Sequence, residues 1–263
     1  MTFHLGRLAA FLKEADLHPE KSRNWLNPKE PERLAQEAQP VCEIYLAARE
    51  LEAQGVHVVS TDEKTGMQAL ERIAQIKPTR PGLIERFEYE YKRHGTLCLI
   101  ANFMVATGRV ESPSIGPTRT ENDFAVHIER SIDSDRAAGW IFVADQLDTH
   151  MSASLVQMVA QRIGYDGDLG VKGRRGILKS RKTRKQFLAD ATHRIRFVYT
   201  PKHCSWLNQV EIWFSILSRR LLRRASFASI EDLGQRILRF IDYFNSVLAK
   251  PFRWTYNGRA LQM

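Results

Sequence analysis

Asp62, Asp145 and Glu211 are the residues of this chain whose types and settings suggest chemistry. Asp62 closes the β-branched run of GVHVVSTD, and Asp145 closes a second apolar run, GWIFVAD. Each reads as a carboxylate at the carboxyl end of a buried strand. Strand ends of this kind in open α/β sheets aim their side chains into a shared crevice, where ligands bind. Neighbouring parallel strands lie about 4.8 Å apart, close enough for two carboxylates to reach one cation. Glu211 sits in SWLNQVEIWFSIL, where a helix starting at Ser205 puts Leu207, Val210, Phe214, Leu217 and Leu221 on one apolar stripe, extended by Trp206 and Trp213. Glu211 then falls on the flank of the stripe, with Asn208, Ser215 and Ser218. A carboxylate beside apolar surface is costly unless a cation, a metal or hydrogen-bond donors compensate it. The helix alone leaves two readings open: a glutamate that caps or pairs near a helix start behind Ser205, or the third ligand of a cation site. Oxygen-only ligation suits magnesium or manganese rather than zinc. Two such ions about 3.5 to 4 Å apart activate a water or a 3′-hydroxyl and stabilise the leaving oxygen of a phosphodiester.

Positioning three distant carboxylates requires a sheet and packed helices, and the patterning supplies both. The first segment reads as a short helix, a basic turn around Pro19 to Arg23, and a longer helix from about Glu30 to Leu51. A strand follows from about Val56 to Ser60. RFEYEYKRHG, TLCLIANFMV and ATGRVES read as an antiparallel meander, because their connections are short and carry glycine. A helix around Glu121 to Asp135 leads into the Asp145 strand. A helix near Ser152 to Ile163 and the strand RIRFVYTP then return the chain to the Glu211 helix. That order implies an α/β fold with a mixed sheet flanked by helices. One segment departs from the pattern: GVKGRRGILKSRKTRKQFLA holds Lys172, Arg174, Arg175, Lys179, Arg181, Lys182, Arg184 and Lys185 with no acidic residue among them. It reads either as a solvated face or as a phosphate-contacting loop whose glycines allow close approach to a backbone.

Composition narrows the partner. With 43% hydrophobic and 26% charged residues over 263 positions, the chain can bury a large core and is not a disordered polymer. A formal net charge of +9 points to a polyanion, of which nucleic acid is the commonest. No run of about 18 apolar residues and no signal-peptide pattern occur, so the expectation is a soluble cytoplasmic protein without a membrane partner. Cys42, Cys98 and Cys204 lack CxxC spacing, which argues against a zinc module or disulfide framework, and the adjacent His203 and Cys204 chelate one ion poorly.

The segments STDEKTGMQALER, FVADQLDTH and YTPKHCSWLNQVEIWFSILSRRLLRR, followed by FIDYFN and KPFRWTY, together resemble the DDE endonuclease domain of bacterial insertion-sequence transposases, specifically the mariner-related insertion-sequence 630 family. The resemblance spans roughly Asn24 to Leu261. It implies a ribonuclease-H-like fold: a mixed five-stranded sheet flanked by helices, occupying residues 53–263, behind a short helical remnant of a DNA-binding region in residues 1–52. It also implies a Mg²⁺-dependent enzyme, with Mn²⁺ able to substitute and two ions per site. Such an enzyme cuts double-stranded DNA at terminal inverted repeats and joins the freed 3′-hydroxyl to target DNA, as a homodimer on DNA near the nucleoid. The family's two catalytic aspartates fall on Asp62 and Asp145, and its glutamate on Glu211.

Departures from the family pattern are equally specific. Gln146 stands where the family commonly has asparagine. The stretch between Asp145 and Glu211 is longer than usual, and the excess is the basic segment, at about 164–193, which reads as a branch-specific insertion. Only a remnant of the usual paired helix-turn-helix modules precedes the catalytic region. That last departure keeps a second reading open, a truncated DNA-binding protein or regulator without transposition activity. Among neighbouring residues, Gln146, His150 and Asn208 are candidate polar partners of the carboxylates, and Asp148 a candidate helix cap. Lys64, Lys202 and His203 join the basic segment as candidate DNA contacts. Trp206 and Trp213 are expected in the core, and PFRWTY is expected to pack back on the domain.

Overall fold

The computed structural model describes residues 5–15, 30–86 and 88–257; the expected basic turn at 19–23 lies outside them. Two helices, α1 (Leu5–Glu14) and α2 (Pro31–Ala53), precede β1 (Val56–Arg72), β2 (Tyr91–Met104) and β3 (Val110–Gly116). Then come α3 (Glu121–Ser134), β4 (Gly139–Ala144), α4 (Ala153–Ile163), α5 (Arg181–Leu188), β5 (Ile195–Tyr199), α6 (Gln209–Leu217) and α7 (Ile230–Tyr243). The strands form one five-stranded sheet in the order β3-β2-β1-β4-β5. β1 and β2, and β2 and β3, pair antiparallel, whereas β1 and β4, and β4 and β5, pair parallel. The sheet is therefore mixed, as the element order implies.

Period-two alternation assigns each strand residue to a face. Val59, Ile100, Phe142, Ala144 and Phe197 pack with Phe124 and Ile128 of α3, Leu155 and Val156 of α4, and Leu188 of α5. On the other face Val58, Ile141 and Val143 meet Val41, Tyr45 and Ala48 of α2. Beside them Leu97, Leu99, Ala101 and Phe103 meet α6 and α7. Helix α2 thus covers the sheet directly. Short polar caps start the helices at their observed positions: Thr120 and Ser180 form capping boxes, and Ser152 and Ser229 accept from backbone N–H groups of the first turn. No helix among the described residues is long and apolar enough to cross a membrane.

Several expectations are corrected. Asp62 does not close its strand: β1 continues past it to Arg72, because residues from Glu63 onward keep pairing with β2. The Glu211 helix does not run unbroken from Ser205: Ser205–Leu207 is a 3₁₀ turn, extended backbone at Asn208 separates it from α6, and a π turn, Ser218–Leu222, follows. Ser205 is consequently no α-helical cap. Trp206 is 46% exposed against the ring of Tyr256, whereas Trp213 is fully buried. RFEYEYKRHG is not a separate strand, because β2 begins only at Tyr91; residues 73–90 form an excursion held by single bridges, with Phe87 outside the described residues. The basic segment is no open loop but contains α5 and a 3₁₀ turn, Ile177–Lys179, that bury Leu178, Phe187 and Leu188. PFRWTY does pack back: Phe252 stacks on Phe103 at 4.6 Å and Trp254 meets Tyr45 edge-on at 4.9 Å.

Candidate active site

The sheet brings two of the three carboxylates to the same height. β1 and β4 run parallel with Ser60 opposite Val143, so Asp62 and Asp145 each stand two residues further on, on the same face. Asp62 is 7% exposed. Burial, then the charge of Asp145, push its carboxyl up to about 8, with His150 and the Glu63 amide opposing. A buried carboxyl beside a second carboxylate resists ionising, so Asp62 is the group that an added cation would favour in its charged form. Glu211 enters from the first turn of α6. Burial raises its carboxyl, the Lys64 ammonium opposes this, and Asp145 adds to it, so Glu211 shares the field of the same site.

Each aspartate has its own support. Asn208 is fully buried, and its Nδ2 donates to Asp62 Oδ2 at 3.1 Å and to the Thr61 carbonyl at 3.1 Å. The Ser60 hydroxyl donates to Asn208 Oδ1 and accepts from the Val210 N–H at 2.8 Å. This arrangement explains why Asn208, at the N-cap of α6, makes no side-chain cap bond. Its amide is turned toward Asp62, and Ser60 reaches across from β1 to satisfy a first-turn N–H in its place. The Tyr45 hydroxyl of α2 lies against Ser60 and accepts from the Gln209 N–H at 3.4 Å.

His150 supports Asp145. Its Nδ1 lies 2.8 Å from Asp145 Oδ1 and its Nε2 3.0 Å from Glu63 Oε2, with the imidazole and the Glu63 side chain both buried. Burial alone would push the imidazole down, but the two carboxylates outweigh it and raise it to about 10. Asp145, which burial pushes up, is nonetheless held below the usual range by His150, the Leu147 amide and Arg119. Asp62, Glu63 and His150 bring potential ligand atoms within 4.8 Å of one another. A His150 that donates from both nitrogens has no lone pair for a metal. The imidazolium therefore reads as a fixed counter-charge, which leaves Asp62, Asp145 and Glu211 as an oxygen-only donor set. That donor set fits Mg²⁺ or Mn²⁺.

The remaining sequence-predicted residues are sorted by their contacts. Gln146 Nε2 donates to the Thr200 carbonyl at 2.9 Å. Asp148 makes no side-chain cap bond; its carboxylate pairs with Arg181 at 3.2 Å. In the basic segment, Arg184 donates to the carbonyls of Met151 at 2.6 Å and Leu178 at 3.2 Å, and Arg181 donates to the Gln146 carbonyl. Lys172 pairs with Glu121 at 3.1 Å, Arg175 with Asp168, and Lys185 lies 5.2 Å over the Tyr199 ring. Arg174, Lys179 and Lys182 have no such partner among the described residues. Lys64 lies 5.8 Å over the Phe214 ring, near Glu211. Lys202 and His203 are exposed just beyond β5, with His203 at φ 62°. Sequence reasoning missed Ser60, Glu63 as the second partner of His150, and Arg119. The legible signal for Ser60 was a small polar residue in phase with the buried face of β1, at Val58, Ser60, Asp62.

With this geometry in place, comparison with known proteins is informative. A family model described as DDE superfamily endonuclease matches residues 57–234. No curated protein matches the chain. Among solved structures, the Mos1 mariner paired end complex with Mn is similar with a TM-score of 0.54 at 14% identity, over 90% of this chain and 63% of that one. The Mos1 transposase paired-end complex with left transposon end gives 0.54 at 14% identity, over 90% and 62%. The Mos1 strand transfer complex gives 0.53 at 13%, again over 90% and 62%. The chain thus spans 62% to 63% of the length of these Mos1 chains, and at such identities the likeness is one of fold.

Proposed function

This chain belongs to the DDE superfamily of endonucleases, and from that membership we propose that it is a transposase of the mariner-related insertion-sequence 630 kind. In this reading it cleaves duplex DNA at transposon ends and transfers the freed strand to target DNA. The observation that carries the reading is a level pair of carboxylates on adjacent parallel strands, Asp62 buried within β1 and Asp145 half-buried just past the end of β4, with Glu211 in the same field.

Asp62, Asp145 and Glu211 would hold two divalent ions, Mg²⁺ or Mn²⁺. When bound, the ions would supply Lewis acidity to the attacking and leaving oxygens. The chain's own groups do the rest. Asn208, locked by Ser60, fixes the orientation of Asp62, and His150, locked by Glu63, fixes that of Asp145. The exposed Arg119 guanidinium and the Lys64 ammonium sit where a scissile phosphate would need counter-charge. In cleavage a water oxygen bonds to phosphorus as the bond to the 3′-oxygen breaks and that oxygen takes a proton. In joining, the resulting 3′-hydroxyl oxygen bonds to the phosphorus of a target phosphodiester and loses its proton as the target's own bond from phosphorus to its 3′-oxygen breaks and that oxygen takes a proton. Arg174, Lys179, Lys182, Lys202 and His203 would contact backbone phosphates, and two copies would act together on paired ends. The work would be done on DNA in a bacterial cytoplasm.

The test is Mn²⁺-dependent nicking of duplexes carrying the element's terminal repeats. Asp62→Asn, Asp145→Asn and Glu211→Gln should each abolish nicking and shrink the thermal stabilisation given by Mn²⁺. Duplex binding without cleavage under any salt condition would instead assign the chain to a DNA-binding regulator.

A further inference from the structure

Helix α6 does not end where its catalytic task does. Its backbone passes through Ser218 in helical geometry into the π turn Ser218–Leu222, closed by the Arg223 N–H donating to the Ser218 carbonyl at 2.9 Å. Leu221 and Leu222 of this turn pack against the core under α6 and α7. Arg219, Arg220, Arg223 and Arg224 are all exposed. A π turn holds more residues than an α turn, so positions four apart come closer to eclipsing one another. Arg219 and Arg223, and likewise Arg220 and Arg224, therefore form two adjacent rows on one face. Like charges four apart on a helix repel one another.

Several arginines elsewhere are neutralised: the exposed Arg33, Arg136 and Arg175 and the half-buried Arg162 and Arg236 each have a carboxylate partner. Here the only carboxylate in reach is Glu85, 4.0 Å from Arg224, and Arg219, Arg220 and Arg223 have no ion-pair partner among the described residues. At about 1.5 Å per residue, Arg219 stands about 12 Å beyond Glu211 along the same axis. The rod that carries a site carboxylate thus ends in a guanidinium face with one carboxylate, Glu85, set against its four arginines.

We propose that Arg219, Arg220, Arg223 and Arg224 form a phosphate-binding surface for the arm of duplex DNA that leaves the site along α6. Guanidinium forks suit phosphate oxygens in two-bond geometry, and a duplex lying on this face would relieve the repulsion between the rows. The proposal rests on the DNA-cleaving reading above for its direction from the site, but its test does not require cleavage. Binding of the full chain to a mixed-sequence duplex of several helical turns is measured in EDTA by fluorescence anisotropy across a salt series. The quadruple variant Arg219→Gln/Arg220→Gln/Arg223→Gln/Arg224→Gln should flatten the log–log salt slope by about 2–4, since each lost phosphate contact removes about 0.9. The double variant Arg219→Gln/Arg220→Gln should give roughly half that change, and serves if the quadruple variant folds poorly. Arg33→Gln with Arg136→Gln, which removes exposed charge elsewhere, should leave the slope alone. A folded double or quadruple variant with the wild-type slope overturns the proposal. Absence of Mn²⁺-dependent nicking by the wild-type protein would overturn the enzymatic reading while leaving this slope measurement interpretable.

Discussion

Ser60→Ala tests the internal logic of the site, because one hydroxyl there serves two masters. It donates to Asn208 Oδ1, which keeps the amide turned toward Asp62, and accepts from the Val210 N–H at the start of α6. Removing it strands both groups in a region where Ser60 and Asn208 are fully buried. Each unpartnered buried group costs about 1–3 kcal/mol, and in a chain of this size each kcal/mol moves the melting temperature by about 2–4 °C. The metal-free protein should therefore melt at least about 4 °C lower. The second consequence separates positioning from mere stability. With its amide unpinned, Asn208 no longer fixes Asp62, and losing such an outer partner typically costs about 10–100-fold in metal affinity. The assay is thermal unfolding in EDTA and across a Mn²⁺ titration, with Phe197→Leu as the control on the opposite face of the sheet. Phe197 is fully buried among α3, α4 and α5 partners, so this variant should lower the melting temperature without moving the Mn²⁺ half-saturation point. If Ser60→Ala also left half-saturation unmoved, the claim that Asn208 orients Asp62 would fall.

The other predictions use different parts of the molecule. Metal-free stability should decline from about pH 6.5 toward pH 9: His150, raised to about 10, stabilises fully below its unfolded value and loses this as pH rises toward 10, while Asp62, raised to about 8, favours its neutral form in the fold. The Mn²⁺-induced rise in melting temperature should widen over the same range, as protons cease to compete for Asp62; a metal-free melting temperature that is flat or rising across it would contradict the assignment. Burial holds His127 near 3, so below about pH 6.5 this residue alone contributes a loss of stability approaching about 1.4 kcal/mol per pH unit, opposed there by Asp62 and read as the difference in urea midpoints between the wild type and His127→Gln. Arg184→Gln should cost about 1–3 kcal/mol by orphaning the Met151 and Leu178 carbonyls without altering the salt slope of DNA binding, whereas Lys182→Gln should alter the slope and not the stability. Gly108→Ala should destabilise, since at φ +74° its new Cβ would lie 2.1 Å from the Lys250 carbonyl carbon; an unchanged urea midpoint would show that the C-terminal segment is not packed there.

Periodicity sufficed wherever the interaction was local or repeated. The apolar runs leading into Asp62 and Asp145, the amphipathic α3 and α4, and the buried side of α6 were all legible, because each repeats one burial decision several times, whereas the continuation of β1 to Arg72 was not. The Glu211 region was less legible at its ends. Ser205 looks like a cap and Trp206 like core, yet the chain turns at Asn208 because that amide is needed by Asp62 and because Ser60, from a distant strand, satisfies the helix start instead. A capping rule reads neighbours in sequence and has no view of an acceptor 150 residues away. The basic segment misled in the same way: charge density suggests a solvated or DNA-facing loop, while Arg181 and Arg184 are consumed by carbonyls of the chain itself.

What the sequence determined by itself was the set of carboxylates and the kinds of element that carry them, since strand and helix patterns and residue chemistry are local properties. Only the tertiary structure decided that β1 and β4 are parallel neighbours in register, which makes two distant aspartates level and forces their charges to compete. It alone decided which polar groups are buried, and hence that His150, held by Glu63, is a fixed cation beside Asp145 and that Ser60 and Asn208 are a fixed support. It also separated the basic residues held within the fold from those left facing outward. Those outcomes depend on desolvation and on distances across the sheet, and neither is a property of any stretch of chain taken alone.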